Sequence, residues 1–160
     1  MKTEPEDWSW QEQVKAGNKG IEWNGVRNFQ AAKNLKNMRV GDECFFYHTG
    51  KIKSIVGVVK VIKEAFLDRS DRTKKFVSII VQAFYPLKRE VSLHEIKKNK
   101  DFKDFPLVKQ SRLSVIKVDL KYWKKICKMG KVWHLGKFYG QEAKKEKKRK
   151  VKKKKKVGKN

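Results

Sequence analysis

The sequence lacks a long apolar segment and is poor in cysteine. Its longest apolar runs, IVGVVKVI and FVSIIVQAF, are far shorter than the roughly 20 residues that a membrane-spanning helix needs. The two cysteines, Cys44 and Cys127, are far apart and show no CxxC spacing, which argues against a disulfide framework and a zinc site. The acidic, polar start MKTEPEDWSW is unlike a signal peptide. We therefore expect an intracellular protein that does not enter a membrane.

The common signatures of catalysis and metal binding are also missing. There is no phosphate-binding loop and no GxGxxG, HExxH or GxSxG motif. The histidines His48, His94 and His134 share no metal-ligand spacing with one another or with the cysteines. We therefore expect a protein that is not an enzyme and that uses no cofactor and no metal. An enzyme that processes nucleic acid stays an alternative, because catalytic groups can meet in space without a linear motif.

Acidic residues are scarce relative to basic ones. The chain has 42 Lys and Arg residues against 17 Asp and Glu residues, a net charge of +25. Residues 144–160 contribute 12 basic residues and one acid, so residues 1–143 still carry 30 basic and 16 acidic residues. A surface with this charge attracts polyanions, and nucleic acid is the commonest of them. We therefore expect nucleic acid to be the partner.

The order of the expected helices and strands predicts one α+β domain over residues 1–130. Ala31, Leu35 and Met38 recur at helical spacing and predict a helix that starts near Arg27. Runs of β-branched and aromatic residues predict strands, and Pro86 is expected to close the third of them. The expected strands cover 43–49, 54–63, 74–85 and 109–118, and further helices lie within 6–17, 92–99 (with a Ser92–Glu95 capping box) and 119–130. Without a regular strand–helix alternation, we expect a small curved sheet or barrel with helices packed outside.

Beyond residue 130 the composition changes. We interpret residues 131–143 as a C-terminal extension and 144–160 as a disordered lysine-rich tail, because so many like charges cannot be buried. The tail contains KKRKV at 147–151, which resembles a nuclear-import signal. We expect the nucleus in a eukaryote and the cytoplasm in a bacterium. Alternatively, the tail only adds nonspecific affinity for nucleic acid, which falls with salt.

The stretch WNGVRNFQAAKN, residues 23–34, combines aromatic, amide and basic side chains at a turn and a helix start. A nucleobase is recognised by flat surfaces that stack on it and by donors and acceptors along its edge, whereas cations bind the phosphates. Trp23, Arg27, Asn28 and Gln30 supply such groups, although a tryptophan considered alone is more often part of a core. The other apolar residues are expected to hold the helix against the barrel: Phe29, Ala31 and Leu35.

Two further segments carry candidate binding residues. Period-2 alternation in CFFYHT, residues 44–49, places Phe45 and Tyr47 on one face of a strand and Phe46 and His48 on the other. One face must belong to the core, and Tyr47 and His48 at the end of the strand could line a pocket. The segment QSRLS, residues 110–114, is polar until its leucine and could contact a phosphate or a base edge.

Taken together, three segments resemble the EVE domain family. They are MKTEP at the start, WNGVRNFQAAKNLKNMRVGDECFFYHT and KQSRLSV, and they occur in the family's order over residues 1–130. The resemblance implies a PUA-like α+β fold, a bent β-barrel of mostly antiparallel strands flanked by helices. It also implies a non-enzymatic module that reads a modified base, 5-methylcytosine or its oxidised forms in DNA, by flipping it into an aromatic and polar pocket. An RNA-binding PUA-like domain that recognises modified or structured RNA is the alternative.

The resemblance also implies roles for residues that match the family's segments. The implied base pocket consists of Trp23, Asn28, Gln30, Tyr47, His48, Ser111 and Ser114. Phosphate contacts or the pocket rim are implied for Lys2, Glu4, Arg27, Lys33 and Arg112. The sequence departs from the family at Ala32, where the family has an arginine, so a basic group is either missing there or moved to Lys33. We expect a monomer that binds modified DNA, or RNA, and neither a membrane nor a metal.

Overall fold

The computed structural model describes residues 1–132, in which five strands form one sheet. The strands are β1 (Lys2–Thr3), β2 (Ile21–Trp23), β3 (Glu43–His48), β4 (Ser54–Leu67) and β5 (Val77–Ser92). Their order across the sheet is β1-β3-β4-β5-β2. Strand β1 runs parallel to β3, and the other neighbours are antiparallel. The predicted α+β class with mostly antiparallel strands is confirmed.

Helices flank this sheet and connect its strands. In the described part of the chain they are α1 (Trp10–Lys15), α2 (Phe29–Lys36), α3 (Leu93–Lys98), α4 (Pro106–Lys109) and α5 (Leu120–Met129). Two short 3-10 helices cover Gly17–Lys19 and Lys100–Phe102. Only residues 131 and 132 of the predicted C-terminal extension are described, and the predicted tail, 144–160, lies outside the described residues.

Strand β3 lies at the centre of the core because both of its faces are buried. On one face, Phe46 is fully buried and meets the rings of Trp10 and Trp23 edge to face, at centroid distances of 5.4 and 5.8 Å. On the other face, Phe45 stacks on Trp123 of α5 at 4.0 Å. The predicted alternation of this strand is therefore confirmed, and each face belongs to a separate hydrophobic cluster.

Strands β4 and β5 are longer than predicted and are bent. They span 14 and 16 residues, and the pairing register between them shifts at several points. The prediction that Pro86 closes the strand is wrong, since β5 continues through it to Ser92. Pro86 pairs with Gly57, whereas the next pair is Ile55 with Val91, so β5 carries extra residues there. Proline lacks the backbone N–H of a regular ladder and is tolerated at such a bulge.

The predicted strand over 109–118 is wrong. Helix α4 ends at Lys109, and the chain then continues without regular secondary structure to residue 119. Its backbone carbonyls bond to scattered partners, because the Ser114 carbonyl accepts from the Lys2 N–H and the Val115 carbonyl accepts from the Asn34 amide. The apolar alternation that suggested a strand comes from Leu113 and Val115, which both enter the first core cluster without a neighbouring ladder.

The helix boundaries follow their capping residues. The predicted capping box of α3 is confirmed: Ser92 Oγ accepts from the Glu95 N–H at 3.2 Å, and the Glu95 carboxylate accepts from the Ser92 N–H at 3.1 Å. Asn28 caps α2, so this helix begins at Phe29, two residues later than predicted. A second capping box, Ser9 with Glu12, starts α1.

One residue of α2 lies elsewhere than predicted. Ala31 and Leu35 are fully buried and hold the helix against the sheet, as expected. Phe29, by contrast, is 71% exposed, and the expectation that it belongs to the core is wrong. It is the first residue of the helix, and its side chain lies beyond the edge of the stripe that packs on the sheet.

Within residues 1–132, no helix has the length and apolar character needed to cross a membrane. Nor do three or more His, Cys, Asp or Glu side chains of these residues come together where they could hold a metal ion. Cys44 and Cys127 are buried and unpaired. Burial raises the pKa of Cys44 to about 11 and that of Cys127 to about 12, so both thiols stay protonated near neutral pH.

Candidate nucleic-acid interface

Predicted site residues from three distant parts of the sequence lie together along one strip of the molecule. The Lys2 ammonium donates to the Ser111 carbonyl at 2.8 Å, and the Lys2 backbone N–H donates to the Ser114 carbonyl at 2.9 Å. Gln30 of α2 donates its amide to the Gln110 side chain at 3.4 Å. We call these five residues the amide strip. The structure thus brings Lys2, Gln30, Ser111 and Ser114 together, and their roles in binding stay a prediction.

The amide strip differs in exposure from residue to residue and has cations next to it in the sequence. Ser111 of the strip is exposed and Ser114 is half-buried, and the neighbouring cations Arg112 and Lys33 are exposed. Partial burial lowers the pKa of the Lys2 ammonium. Ala32, which stands where the family has an arginine, is 3% exposed, so the exposed cation next to it in the sequence is Lys33. The strip therefore offers amide and hydroxyl groups flanked by positive charge.

Asn28 fixes the start of α2 next to this strip. Its side-chain oxygen accepts a hydrogen bond from the Ala31 N–H at 3.0 Å, which satisfies one of the free donors at the helix N-terminus. The side chain is exposed. Because the cap uses the oxygen as an acceptor, the amide nitrogen of Asn28 is the group that can donate to a ligand.

Trp23 is part of the core. It is the last residue of β2, is 8% exposed, and packs edge to face on Phe46. His48, at the end of β3, meets the other side of this cluster, with its ring 5.4 Å from that of Phe46. The aromatic group around Phe46 therefore joins Trp23 and His48, two predicted pocket residues, on one face of the sheet.

The sequence-based prediction missed two further tryptophans, which pack against the core cluster that contains this aromatic group. Trp8 and Trp10 are half-buried and pack against the first core cluster. The Trp8 indole N–H donates to Gln13 at 3.0 Å, and the fully buried Gln13 in turn donates to the Val81 carbonyl at 3.0 Å. Trp8 and Trp10 flank Ser9, the N-cap of α1. The signal that could have revealed them is the WSW pattern centred on the serine of this capping box.

The turn that leads into α1 involves Glu4. The side chain of this residue is exposed, and its carbonyl accepts hydrogen bonds from the Asp7 and Trp8 N–H groups at 3.1 and 3.0 Å. Glu4 directly follows β1, which carries Lys2. Along the chain it therefore connects Lys2 of the amide strip to the half-buried Trp8, and its role at a pocket rim stays a prediction.

The His48 imidazole is held in its neutral form. Its Nε2 accepts a hydrogen bond from the Trp10 N–H at 3.2 Å, so the proton of the neutral ring is on Nδ1. Burial lowers the pKa of His48, and the carboxylates of Glu90 and Glu6 only partly oppose this effect. At neutral pH the ring is therefore an apolar surface with one hydrogen-bond donor.

Tyr47 lies apart from the other predicted pocket residues. Its side chain belongs to the second core cluster, together with Ile55 and Val58, on the face of the sheet opposite Trp23 and His48. It is 5% exposed, and burial raises its pKa to about 12. The strand alternation causes this separation, since consecutive residues of β3 point to opposite faces.

Arg27 is engaged in an ion pair. Its guanidinium donates to Asp68 at 2.7 Å and to the Ser70 hydroxyl at 2.8 Å, and Asp68 also accepts from the Gly25 N–H at 2.9 Å. The Asp68 side chain is fully buried, whereas that of Arg27 is 41% exposed. Arg27 therefore ties the turn before α2 to the loop after β4, and only part of its guanidinium faces solvent.

A cavity of about 570 Å³ lies next to the amide strip but is distinct from it. Its lining includes Met1, Asn34, Met38, Cys44 and Trp123. None of the predicted pocket or rim residues lines it, and it opens between α2, the start of β3 and the segment before α5. It therefore adds nothing to the candidate site.

Comparison with known proteins places this arrangement in a family. The model of the EVE domain matches residues 1–129. The solved structure of Rpa0253 from Rhodopseudomonas palustris has a TM-score of 0.79 and 43% identity, and covers 84% of this chain and 93% of that one. Human THYN1 protein, solved in complex with 5-methylcytosine-containing DNA, has a TM-score of 0.76 and 26% identity, and covers 84% and 97% of the two chains.

Curated relatives are longer than the segment that they share with this chain. Thymocyte nuclear protein 1 of Danio rerio is 34% identical over 116 residues, in a match that covers 58% of this chain and 50% of the relative. Thymocyte nuclear protein 1 of Rattus norvegicus is 38% identical over 90 residues, in a match that covers 47% of this chain and 40% of the relative. The match thus spans half of their length or less, and the resemblance seen in the sequence is confirmed. The chain belongs to the EVE domain family.

Proposed function

We propose that this chain binds nucleic acid and reads a modified base, 5-methylcytosine or one of its oxidised forms in DNA. The observation that carries this proposal is the likeness to human THYN1 protein, whose solved complex holds 5-methylcytosine-containing DNA and which matches 84% of this chain at a TM-score of 0.76. The 30 basic against 16 acidic residues of 1–143 support a polyanionic partner. In this proposal the protein is a binding module and not an enzyme.

The groups available around the amide strip fit the chemistry of a modified pyrimidine. A methyl group on the base needs an apolar or aromatic surface, which the cluster of Trp23 and His48 would supply. Amides and hydroxyls of Asn28, Gln30 and the Ser111–Ser114 segment would bind the edge of the base. Flipping the base out of the stack costs a few kcal/mol, which these contacts must offset. Tyr47, on the opposite face, is left out of the pocket that we propose.

The phosphates would be bound by the cations around the strip. The candidates are Lys2, Arg27, Lys33 and Arg112. Arg112 and Lys33 are the most suitable because both are exposed, whereas Lys2 already donates to the Ser111 carbonyl. The Glu4 carboxylate would repel phosphate, so we assign it to the pocket rim, where it can accept from an amino group of the base.

The test is a binding comparison with DNA duplexes of one sequence that carry cytosine, 5-methylcytosine or 5-hydroxymethylcytosine at a single position. We expect one modified duplex to bind more tightly than the unmodified one in fluorescence anisotropy at matched salt. Equal affinity for all three would overturn the proposal. RNA of the same sequence is the competing arm, since the 2′-OH separates the two classes; tighter binding of RNA would establish the alternative.

Two substitutions test the residue roles without removing the core. Trp23→Phe keeps an aromatic ring in the buried position, whereas Trp23→Ala would cost about 3–5 kcal/mol of stability and leave the result ambiguous. We expect Trp23→Phe to lower the preference for the modified duplex, and Arg112→Gln to weaken binding to modified and unmodified duplexes alike. The matched control for Arg112→Gln is Lys98→Gln, because Lys98 is an exposed basic residue of α3, on the other side of the sheet.

We further propose that residues 1–130 fold as one monomeric module and that the basic tail directs the protein to the nucleus in a eukaryotic cell. Light scattering coupled to size-exclusion chromatography of residues 1–132 tests the first statement, and a dimer would contradict it. A fluorescent protein fused to residues 144–160 tests the second. Its accumulation in the nucleus is expected, and an even distribution over the cell would contradict it.

A further inference from the structure

Phe29 is an aromatic residue whose side chain is exposed to solvent. At 71% exposure it is the most exposed of the large hydrophobic residues in the described part of the chain. Its ring lies 5.1 Å from that of Phe76, which is buried, with an interplanar angle of 35°. The rest of the Phe29 surface is free to contact another molecule.

The surroundings hold Phe29 in place. It is the first residue of α2, directly after the Asn28 cap. Phe76 beneath it donates its backbone N–H to Asp71 at 2.9 Å, and the Arg27 guanidinium lies 5.5 Å from the Phe76 ring centre. One side of the Phe29 ring thus rests on Phe76, a buried residue whose backbone is hydrogen-bonded within the loop.

The loop below Phe29, residues 68–76, directs its positive charge outward. Asp68 and Asp71 are buried and accept hydrogen bonds from within the loop and from the turn at Gly25. The four basic residues between β4 and β5 are all exposed: Arg69, Arg72, Lys74 and Lys75. Because the acids face inward and the bases outward, the surface around Phe29 is cationic. Such a surface fits phosphate groups and disfavours a purely apolar protein partner.

The position of Phe29 relates this surface to the proposed pocket. Its neighbours in the sequence, Asn28 and Gln30, are proposed pocket residues, and Gln30 turns toward Gln110 of the amide strip. Phe29 instead turns toward Phe76 and the basic loop. The start of α2 therefore separates two surfaces, and one nucleic acid that crosses it would touch both.

We propose that Phe29 and the basic residues of the loop 68–76 form a second contact surface for the same nucleic acid. In this surface Phe29 stacks on a nucleobase outside the pocket, and the cations of the loop bind the flanking phosphates. Aromatic side chains combined with a cationic groove are the usual way to hold exposed bases without regard to sequence. The proposal rests on the proposed function for the nature of the ligand. In it, this second surface contributes affinity and does not contribute base preference.

Phe29→Ala tests the stacking, and Phe29→Trp is its conservative counterpart. We expect Phe29→Ala to weaken binding to modified and unmodified DNA about tenfold, within the range for removal of one base–aromatic stack. Phe29→Trp should bind as the wild type does. The control is Ile52→Ala, because Ile52 is another exposed apolar residue, 46% exposed, in the turn before β4. This variant should bind DNA with wild-type affinity. Urea unfolding of each variant checks that stability is kept.

The double variant Arg72→Gln/Lys74→Gln tests the binding of phosphates by the loop. The slope of log K against log salt should become shallower by about 1–2, since each phosphate that the protein no longer neutralises reduces it by roughly 0.9. Wild-type affinity in Phe29→Ala, or an unchanged slope in the loop variant, would overturn the inference. The two failures are distinguishable from each other: equal wild-type binding to modified and unmodified DNA refutes the reader proposal, whereas an insensitive Phe29 refutes only this surface.

Discussion

The indole ring of Trp10 lies directly on Gly57, so that a Cβ atom added to the glycine would come within 2.4 Å of the ring. Gly57 is the fourth residue of β4 and pairs with Phe46 of β3. The Trp10 ring also meets the Phe46 ring edge to face. Glycine weakens a strand interior unless something approaches the backbone closely. The close approach of Trp10 therefore explains the only glycine within the SIVGVVKVI segment.

We predict that Gly57→Ala displaces Trp10 and destabilises the fold by about 1–3 kcal/mol, the usual cost of overpacking a core. Urea unfolding gives the loss of stability, and near-UV circular dichroism reports the changed tryptophan environment. The matched background is Trp10→Ala, in which the clash partner is absent and the added methyl group should cost much less. An equal cost in both backgrounds would show that the two residues are not coupled.

The second prediction concerns the pH dependence of stability at His48. Burial lowers the pKa of the folded-state imidazole below its usual value of 6.5. A group with a lowered pKa binds protons more readily in the unfolded chain, so its contribution to stability is complete above pH 6.5 and is lost as the pH falls below it. We expect the free energy of unfolding to decrease between pH 7.5 and pH 5, as followed by urea titration.

His48→Gln separates this effect from the titration of carboxylates. Glutamine keeps an acceptor for the Trp10 N–H but does not titrate. The variant should be less stable than the wild type at pH 7.5 because it removes the ring that packs on Phe46. The difference between the two proteins should narrow toward pH 5. A constant difference would mean that His48 does not titrate on unfolding in this range.

The third prediction concerns the buried carboxylate of Asp68. Burial tends to raise its pKa, but hydrogen bonds from Ser70, Arg27 and Gly25 outweigh this and hold the pKa at about 2. The stability that these bonds contribute is present above the unfolded value of 3.8 and is lost as the pH falls toward 2. Asp68→Asn should lower stability at pH 7 by about 2–4 kcal/mol, because it leaves Arg27 without its counter-charge.

Acid unfolding monitored by circular dichroism checks this prediction. The variant should lose less stability than the wild type between pH 4 and pH 2. Arg27→Lys is a useful companion, because lysine keeps the charge but cannot bond to Asp68 and the Ser70 hydroxyl in the same forked geometry. If Asp68→Asn were as stable as the wild type at pH 7, the ion pair would have no net stabilising role.

The sequence predicted best where a single local rule decides the structure. The alternation of residues 44–48 correctly assigned Phe45 and Phe46 to opposite faces, because both faces of β3 are buried. The same rule placed Tyr47 and His48 on opposite faces, although the prediction assigned both residues to one pocket. The capping box at Ser92 also fixed the start of α3 correctly, because it depends on residues three positions apart.

The sequence failed where tertiary contacts replace local rules. Residues 110–118 alternate like a strand, but their carbonyls bond to β1 and α2 and make no ladder. Phe29 fitted the apolar character of α2, yet it lies at the first position of the helix, outside the buried stripe. Trp8 bonds to Gln13, which in turn bonds to the carbonyl of the distant Val81, and Trp10 packs on Gly57. No local pattern contains these contacts.

The last prediction concerns the lysine-rich segment 144–160, which carries 12 of the 42 basic residues. Binding that rests on phosphate neutralisation is independent of base identity and falls steeply with salt. Deleting this segment should therefore weaken binding to all nucleic acids alike, with a shallower salt dependence, and leave the ratio of affinities for modified and unmodified DNA unchanged. Fluorescence anisotropy of both duplexes at two salt concentrations measures the two quantities together.

A segment of equal length with glutamine in place of lysine and arginine is the control and should behave like the deletion. If the deletion abolished the preference for the modified duplex, the segment itself would take part in reading the base, and the assignment of base preference to the folded domain would be wrong.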